Sequence, residues 1–165
     1  MVLKNPYHFL DQLFAGIAEK GIVVDGLFMD HICYRVASKK RYEELKATLL
    51  QEYELLAESM IKGRPICTFK MSQGFEYYDR LVDVLELPSP KEGKPYEEGY
   101  EHVEFVLDED FTSFMNRYPH ITFDQSGMGK PLNADIRVQL GKFAVKFHLQ
   151  SLERVIEIEK KMGII

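Results

Sequence analysis

Asp30-His31-Ile32-Cys33-Tyr34-Arg35-Val36 returns later in the chain as Glu101-His102-Val103-Glu104-Phe105-Val106-Leu107. Each copy reads acid, histidine, β-branched residue, any residue, aromatic. β-branched and aromatic residues at alternate positions predict a strand in both places. Each copy then leads through a short polar start into a helical pattern. The doubling predicts two copies of one module. Modules packed by pseudo-symmetry can bring both histidines into one site.

Working outward, the first module spans about residues 28–88. After the strand at 30–36, Ser38 caps a helix running to about 51, with Tyr42, Leu45 and Leu49 on one face. Strands are expected at 55–61, 65–71 and 80–87, with a turn at Ser72-Gln73-Gly74. Pro88, Pro90, Gly93 and Pro95 make 89–99 a linker, since Pro and Gly at this density interrupt regular structure. The second module, 100–151, opens with the repeated strand at 100–107. A helix at about 109–118 follows, carrying Phe111, Phe114, Met115 and Tyr118, and then strands at 120–124, 134–140 and 143–150. Gly127, Gly129 and Pro131 mark a loop, and Gly141-Lys142 a turn.

Two helices flank the repeat. Residues 5–21 carry a cap at Asn5, Pro6 at the first helical position, a stop at Gly21 and one apolar stripe of Leu10, Leu13, Phe14 and Ile17. A short helix at 152–160 turns Leu152, Val155 and Ile156 inward. The expected fold is α+β, a single domain of two pseudo-symmetric βαβββ modules with an added helix at each end.

The 165 residues suffice for one self-supporting core, and 45 % hydrophobic with 28 % charged residues is the composition of a soluble globular protein. A formal charge of −5 argues against a general nucleic-acid or anionic-membrane binder, which needs a basic face. Cys33 and Cys67 have no paired metal-knuckle or redox spacing, so a reducing compartment is expected. The first apolar stretch is broken by Asp11, Gln12 and Glu19, unlike a signal peptide, and no run approaches the ~20 apolar residues of a bilayer span. The expected location is cytoplasmic, with no membrane or nucleic-acid partner.

Alternation within the strands separates two faces. Val103, Phe105 and Leu107 oppose His102, Glu104 and Val106; Ile136, Val138 and Leu140 oppose Asp135, Arg137 and Gln139; Phe143, Val145, Phe147 and Leu149 oppose Ala144, Lys146, His148 and Gln150. One face packs on helices and the other is polar. A solvated sheet face has the same pattern, so alternation alone does not make a site. The matching positions carry more weight. His31 and His102 open the first strand of each module, and Glu86 and His148 lie in the last. Imidazole with carboxylate suits zinc, nickel, manganese or iron(II). Glu104 shares a face with His102 and is a candidate general base or outer partner, or an ordinary solvated residue. Arg35, Arg137 and Lys146 are candidates for binding an anionic substrate. Cys33 is expected to wall the cleft, Tyr77-Tyr78 to pack or form a lid, and His8 and His120 to play no part.

At these residues the sequence resembles the vicinal-oxygen-chelate superfamily, which includes glyoxalase I and the extradiol dioxygenases. Met29-Asp30-His31-Ile32-Cys33-Tyr34-Arg35-Val36, Gly63-Arg64-Pro65-Ile66, Glu86-Leu87-Pro88 with Pro90-Lys91, and Glu101-His102-Val103-Glu104-Phe105-Val106 look closest to its YecM family. The resemblance spans about residues 5–160. It implies a cupped mixed sheet around a cleft, with a divalent ion held by His31, Glu86, His102 and His148. Many superfamily members have Glu where this chain has His148. The implied activity is isomerase- or lyase-like chemistry on a small oxygen-chelating molecule, ahead of iron(II) oxygen chemistry. The alternative is a non-catalytic module that sequesters a small ligand.

Overall fold

The computed structural model describes residues 2–165. Eleven elements follow in order: α1 (Tyr7–Glu19), β1 (Phe28–Arg35), α2 (Lys39–Leu49), β2 (Glu54–Ile61), β3 (Arg64–Tyr77), β4 (Arg80–Pro88), β5 (Gly99–Val106), α3 (Phe111–Asn116), β6 (Asp135–Leu140), β7 (Phe143–His148) and α4 (Leu152–Lys161). The strands form one open mixed sheet in the order β2-β3-β4-β1-β5-β7-β6. Within each half, the first strand lies parallel to the last, β1 on β4 and β5 on β7. The halves meet where β1 and β5 run antiparallel. This is the expected α+β architecture, two halves of like topology sharing one mixed sheet.

One face of the sheet carries the main core. Ile32, Leu85, Phe69, Val103, Phe105, Val145 and Phe147 are buried there beneath α1, α2 and α3. Phe147 rests 4.7 Å from Phe114 of α3, ring centroid to centroid, so the short helix seals the second half. Removing each such ring from water contributes roughly 1.5–3 kcal/mol. The other face is polar over its middle. Across the first half it is covered by α4, whose Leu152 and Ile156 pack on Ala57 and Val84 in a separate small cluster.

Two expected features take a different form. Ser72-Gln73-Gly74 is no turn: β3 runs through it, with an irregularity in its pairing to β4 between Lys70 and Phe75. Gly74 adopts φ +63°, and a Cβ there would lie 2.8 Å from the Val82 carbonyl oxygen, so the bulge needs glycine. The chain reverses instead at Tyr78, also at positive φ. The strand expected at 120–124 is reduced to one bridge, in which Asp124 and Arg137 exchange backbone hydrogen bonds of 2.8 and 3.0 Å. The alternation of Ile121 and Phe123 reflects side chains half-buried in the core rather than a ladder. The second half is therefore βαββ plus this bridge.

Candidate metal centre

The doubled acid-His phrase lies on the seam between the halves. Ile32 pairs with Val103, and His31 with Glu104 and Cys33 with His102 flank that pair. Pairing skips a residue between Met29 and His31, and again opposite Cys33 and Tyr34, so Asp30 is extra on β1 and Glu101 is extra on β5. A bulge turns two successive side chains toward one face, where a regular strand would separate them. Each acid therefore reaches its own histidine. Asp30 Oδ2 lies 2.7 Å from His31 Nδ1, and Glu101 contacts His102 Nδ1. A carboxylate at Nδ1 fixes the ring with Nε2 pointing inward, the nitrogen a metal ion would take in exchange for its proton. The sequence pattern alone gives Asp30 and Glu101 no role. The signal was present in the repeated acid, but ordinary alternation puts it on the opposite face.

His31, Glu86 and His102 come together with their ligand atoms all within 4.8 Å of one another. Glu104 lies between the histidines, its Oε1 3.3 Å from His31 Nε2 and 3.4 Å from His102 Nε2. These contacts are within ion-pair range, yet no hydrogen bond reaches the buried Nε2 of His31, His102 or His148. Glu86 Oε1 is 3.9 Å from His102 Nε2. Burial opposes charge throughout the cluster. The negative charge of Glu104, with Asp30, nevertheless raises His31 to about 10. Against its burial, Glu104 is held well below the usual carboxylate range by His31 and Lys146. Titratable groups perturbed by burial and by specific charged partners cluster at functional sites.

The remaining candidates lie around this set. His148 presents Nε2 to Asp30 Oδ2 at 3.3 Å, and Nδ1 to Glu104 Oε2 and Asn133 Oδ1, also at 3.3 Å. Lys146 Nζ is 3.5 Å from Glu104 Oε1. Arg35 and Arg137 both turn to Glu101, at 3.4 and 2.7 Å, and Arg35 also stacks over Tyr96 at 4.7 Å. They buttress the partner of His102 rather than front the histidines. Cys33 is buried, within reach of Glu101 and His102. Tyr77 packs on Phe14 while Tyr78 is exposed, and His120 bonds the Lys20 carbonyl far from the cluster. Leu152 N–H donates to Asp30 Oδ2 at 2.9 Å, tying α4 to the same acid.

This donor set fits a borderline divalent ion. Two inward Nε2 atoms with a carboxylate oxygen 3.3 and 3.4 Å away match the ~3.4 Å between neighbouring ligands around a tetrahedral ion with bonds of about 2.0–2.1 Å. The profile of the YecM protein family matches residues 2–159. The chain belongs to the YecM family. It is 31 % identical over 169 residues to Protein YecM of Escherichia coli (strain K12), covering 93 % of this chain and 88 % of that protein. The solved structure of protein EC4020 has a TM-score of 0.79 at 30 % identity, over 92 % of this chain and 87 % of that one. A hypothetical protein, BH1468 from Bacillus halodurans C-125, shares the fold at TM-score 0.53 and 15 % identity, covering 77 % and 96 %. Among the described residues of this YecM relative, no helix is long and apolar enough to cross a membrane.

Proposed function

We propose that the chain is a divalent-metal-dependent enzyme acting on a small oxygen-chelating molecule by isomerase- or lyase-like chemistry. One observation carries this reading. His31 Nε2 and His102 Nε2 are buried without hydrogen-bond partners, while their Nδ1 atoms are held by Asp30 and Glu101. Each has an ion-pair contact to Glu104, at 3.3 and 3.4 Å, in place of a hydrogen bond, and a bound ion would satisfy both. His31, Glu86 and His102 would hold the ion, with Glu104 at ligand spacing beside both histidines. His148 is the remaining candidate ligand, reaching the set from the Asp30 side. A bound divalent ion supplies a Lewis acid that stabilises negative charge on a developing enolate or oxyanion.

The side chains divide the other tasks. Asp30 and Glu101 orient the imidazoles. Glu104 is better suited to carry constant negative charge than to take a proton, since a general base works best with a pKa near the operating pH. The depth of the cluster excludes bulk water, because His31, His102 and Glu104 are at most 5 % exposed. Elemental analysis of protein purified without chelators tests the reading, alongside His31→Ala and His102→Ala. Near-stoichiometric zinc, nickel, manganese or iron(II), lost in both variants, is expected. Absence of a tightly bound ion from the wild type, with neither substitution changing anything, would overturn it. Ion bound without turnover of any small chelating acid or ketone would leave the sequestering module as the function.

A further inference from the structure

The pseudo-two-fold relation that carries His31 onto His102 carries Cys33 onto Glu104. Glu86 of β4 is opposite Cys33, and Lys146 of β7 is opposite Glu104. Lys146 thus occupies in the second half the station that Glu86 occupies in the first. His148, two residues further on, matches Pro88. An ammonium replaces the fourth inward ligand that symmetry would supply.

We infer that Lys146 is the anion anchor of this centre, selecting a small 2-oxo- or 2-hydroxycarboxylate that chelates the ion through adjacent oxygens. The inference rests on the metal-binding reading above. Charge and access both support it. Glu86 and Glu104 neutralise a divalent ion; Asp30 is buried against α4, and Lys146 is the positive charge at the partly exposed side of the cluster. The other nearby cations are committed: Arg35 and Arg137 to Glu101, and Lys130 to Asp135 at 2.6 Å. The first backbone N–H of α4 is committed to Asp30. One ammonium supplies a single positive charge, which a carboxylate balances and a phosphate dianion exceeds. Glu86 and Lys146 are also where the cluster meets solvent, their side chains 17 % and 20 % exposed. Drawing the charge of Glu104 toward the ion frees Lys146, 3.5 Å away, for a carboxylate ligand.

The test uses Co(II) as the ion and oxalate as the probe, both followed by visible absorption of the full-length protein. Lys146→Met should bind Co(II) as tightly as wild type or tighter. It should bind oxalate about 10- to 100-fold more weakly, the worth of a charge-assisted hydrogen bond. Lys146→Glu should restore the symmetric ligand, tighten Co(II) and shift its absorption bands, while abolishing oxalate binding. Unchanged oxalate affinity in Lys146→Met overturns the anchor and leaves the metal centre standing. Weaker Co(II) binding by Lys146→Glu also overturns it, since the side chain would not point into the ligand set. A wild type that binds no Co(II) overturns the metal reading and this inference with it.

Discussion

Asp30 should be the residue at which metal affinity and fold stability are most closely joined. Its Oδ2 accepts from His31 Nδ1 at 2.7 Å and from the Leu152 N–H at 2.9 Å, and lies 3.3 Å from His148 Nε2. Asp30→Asn keeps the shape and removes the charge. Hydrogen bonds to a buried charged group contribute roughly 1.5–3 kcal/mol, and a domain of this size loses about 2–4 °C of Tm per kcal/mol, so Tm should fall by roughly 3–12 °C. Metal affinity should fall about 10- to 100-fold, the usual cost of losing the partner that orients a ligating histidine. Glu101→Gln is the matched control. It loosens His102 in the same way but leaves the tie from α4 to Asp30 intact. Its loss of affinity should be comparable and its loss of Tm smaller, because Arg35 and Arg137 are partly exposed and can turn to water. Thermal unfolding by circular dichroism gives Tm, and competition with a chromophoric chelator gives the affinity. Metal affinity unchanged in both variants would refute the orienting role of the two bulged acids. Equal Tm losses would refute the added structural role of Asp30.

Three further outcomes follow from the same structure. Gly74→Ala should destabilise by more than the ~1–2 kcal/mol of a left-handed alanine, because its Cβ would also meet the Val82 oxygen at 2.8 Å; an unchanged Tm would contradict the bulge. Cys33 and Cys67 are buried, and burial with the nearby Glu58 pushes the Cys67 thiol up to about 12, so native protein at pH 8 should release no colour from Ellman's reagent until it is unfolded. Glu58 is held below its ordinary value by the Cys67 thiol and then by Lys46, so its contribution is present above the unfolded carboxylate value of about 4.3 and lost as pH falls below it. Glu58→Gln should therefore lower Tm more at pH 7 than at pH 3, as urea or thermal unfolding at the two pH values can read.

The repeat disclosed the seam of the fold because a strand's pattern is local, and β1 and β5 carry it without interruption. Helices with caps and stripes were equally legible: Asn5 Oδ1 accepts from the Tyr7 N–H, and Ser38 and Ser151 cap α2 and α4. What local pattern could not give was register. The last strand of the second half was readable, but whether Lys146 or His148 matches Glu86 depends on which residue of β7 is opposite Glu104, a long-range fact. The same limit hid the bulges. A bulge changes facing by inserting one residue relative to a distant partner, so nothing near Asp30 or Glu101 in the chain announces it. Ser72–Gly74 and 120–124 misled for the converse reason. Their local signals were real, but a paired β3 and a core that takes in Ile121 and Phe123 overrode them.

The energetics of the seam argue that it is kept for a ligand. Asp30, His31, Glu101, His102, Glu104 and His148 are all buried. Replacing a buried ionic cluster with packed apolar side chains is commonly neutral or stabilising by about 1–4 kcal/mol. The sheet has the means to do so, since its opposite face closes over the packed rings of Phe105, Phe147 and Phe114. A purely structural seam would resemble that face. Here two bulges interrupt the central pairing, both at acids, and both direct a carboxylate to Nδ1 rather than to solvent. Each irregularity costs ladder hydrogen bonds, and both serve to aim Nε2 at one point. Local rules broken twice, at symmetry-related places and to one geometric end, mark a place where function rather than packing sets the local structure, and they support the proposed metal centre.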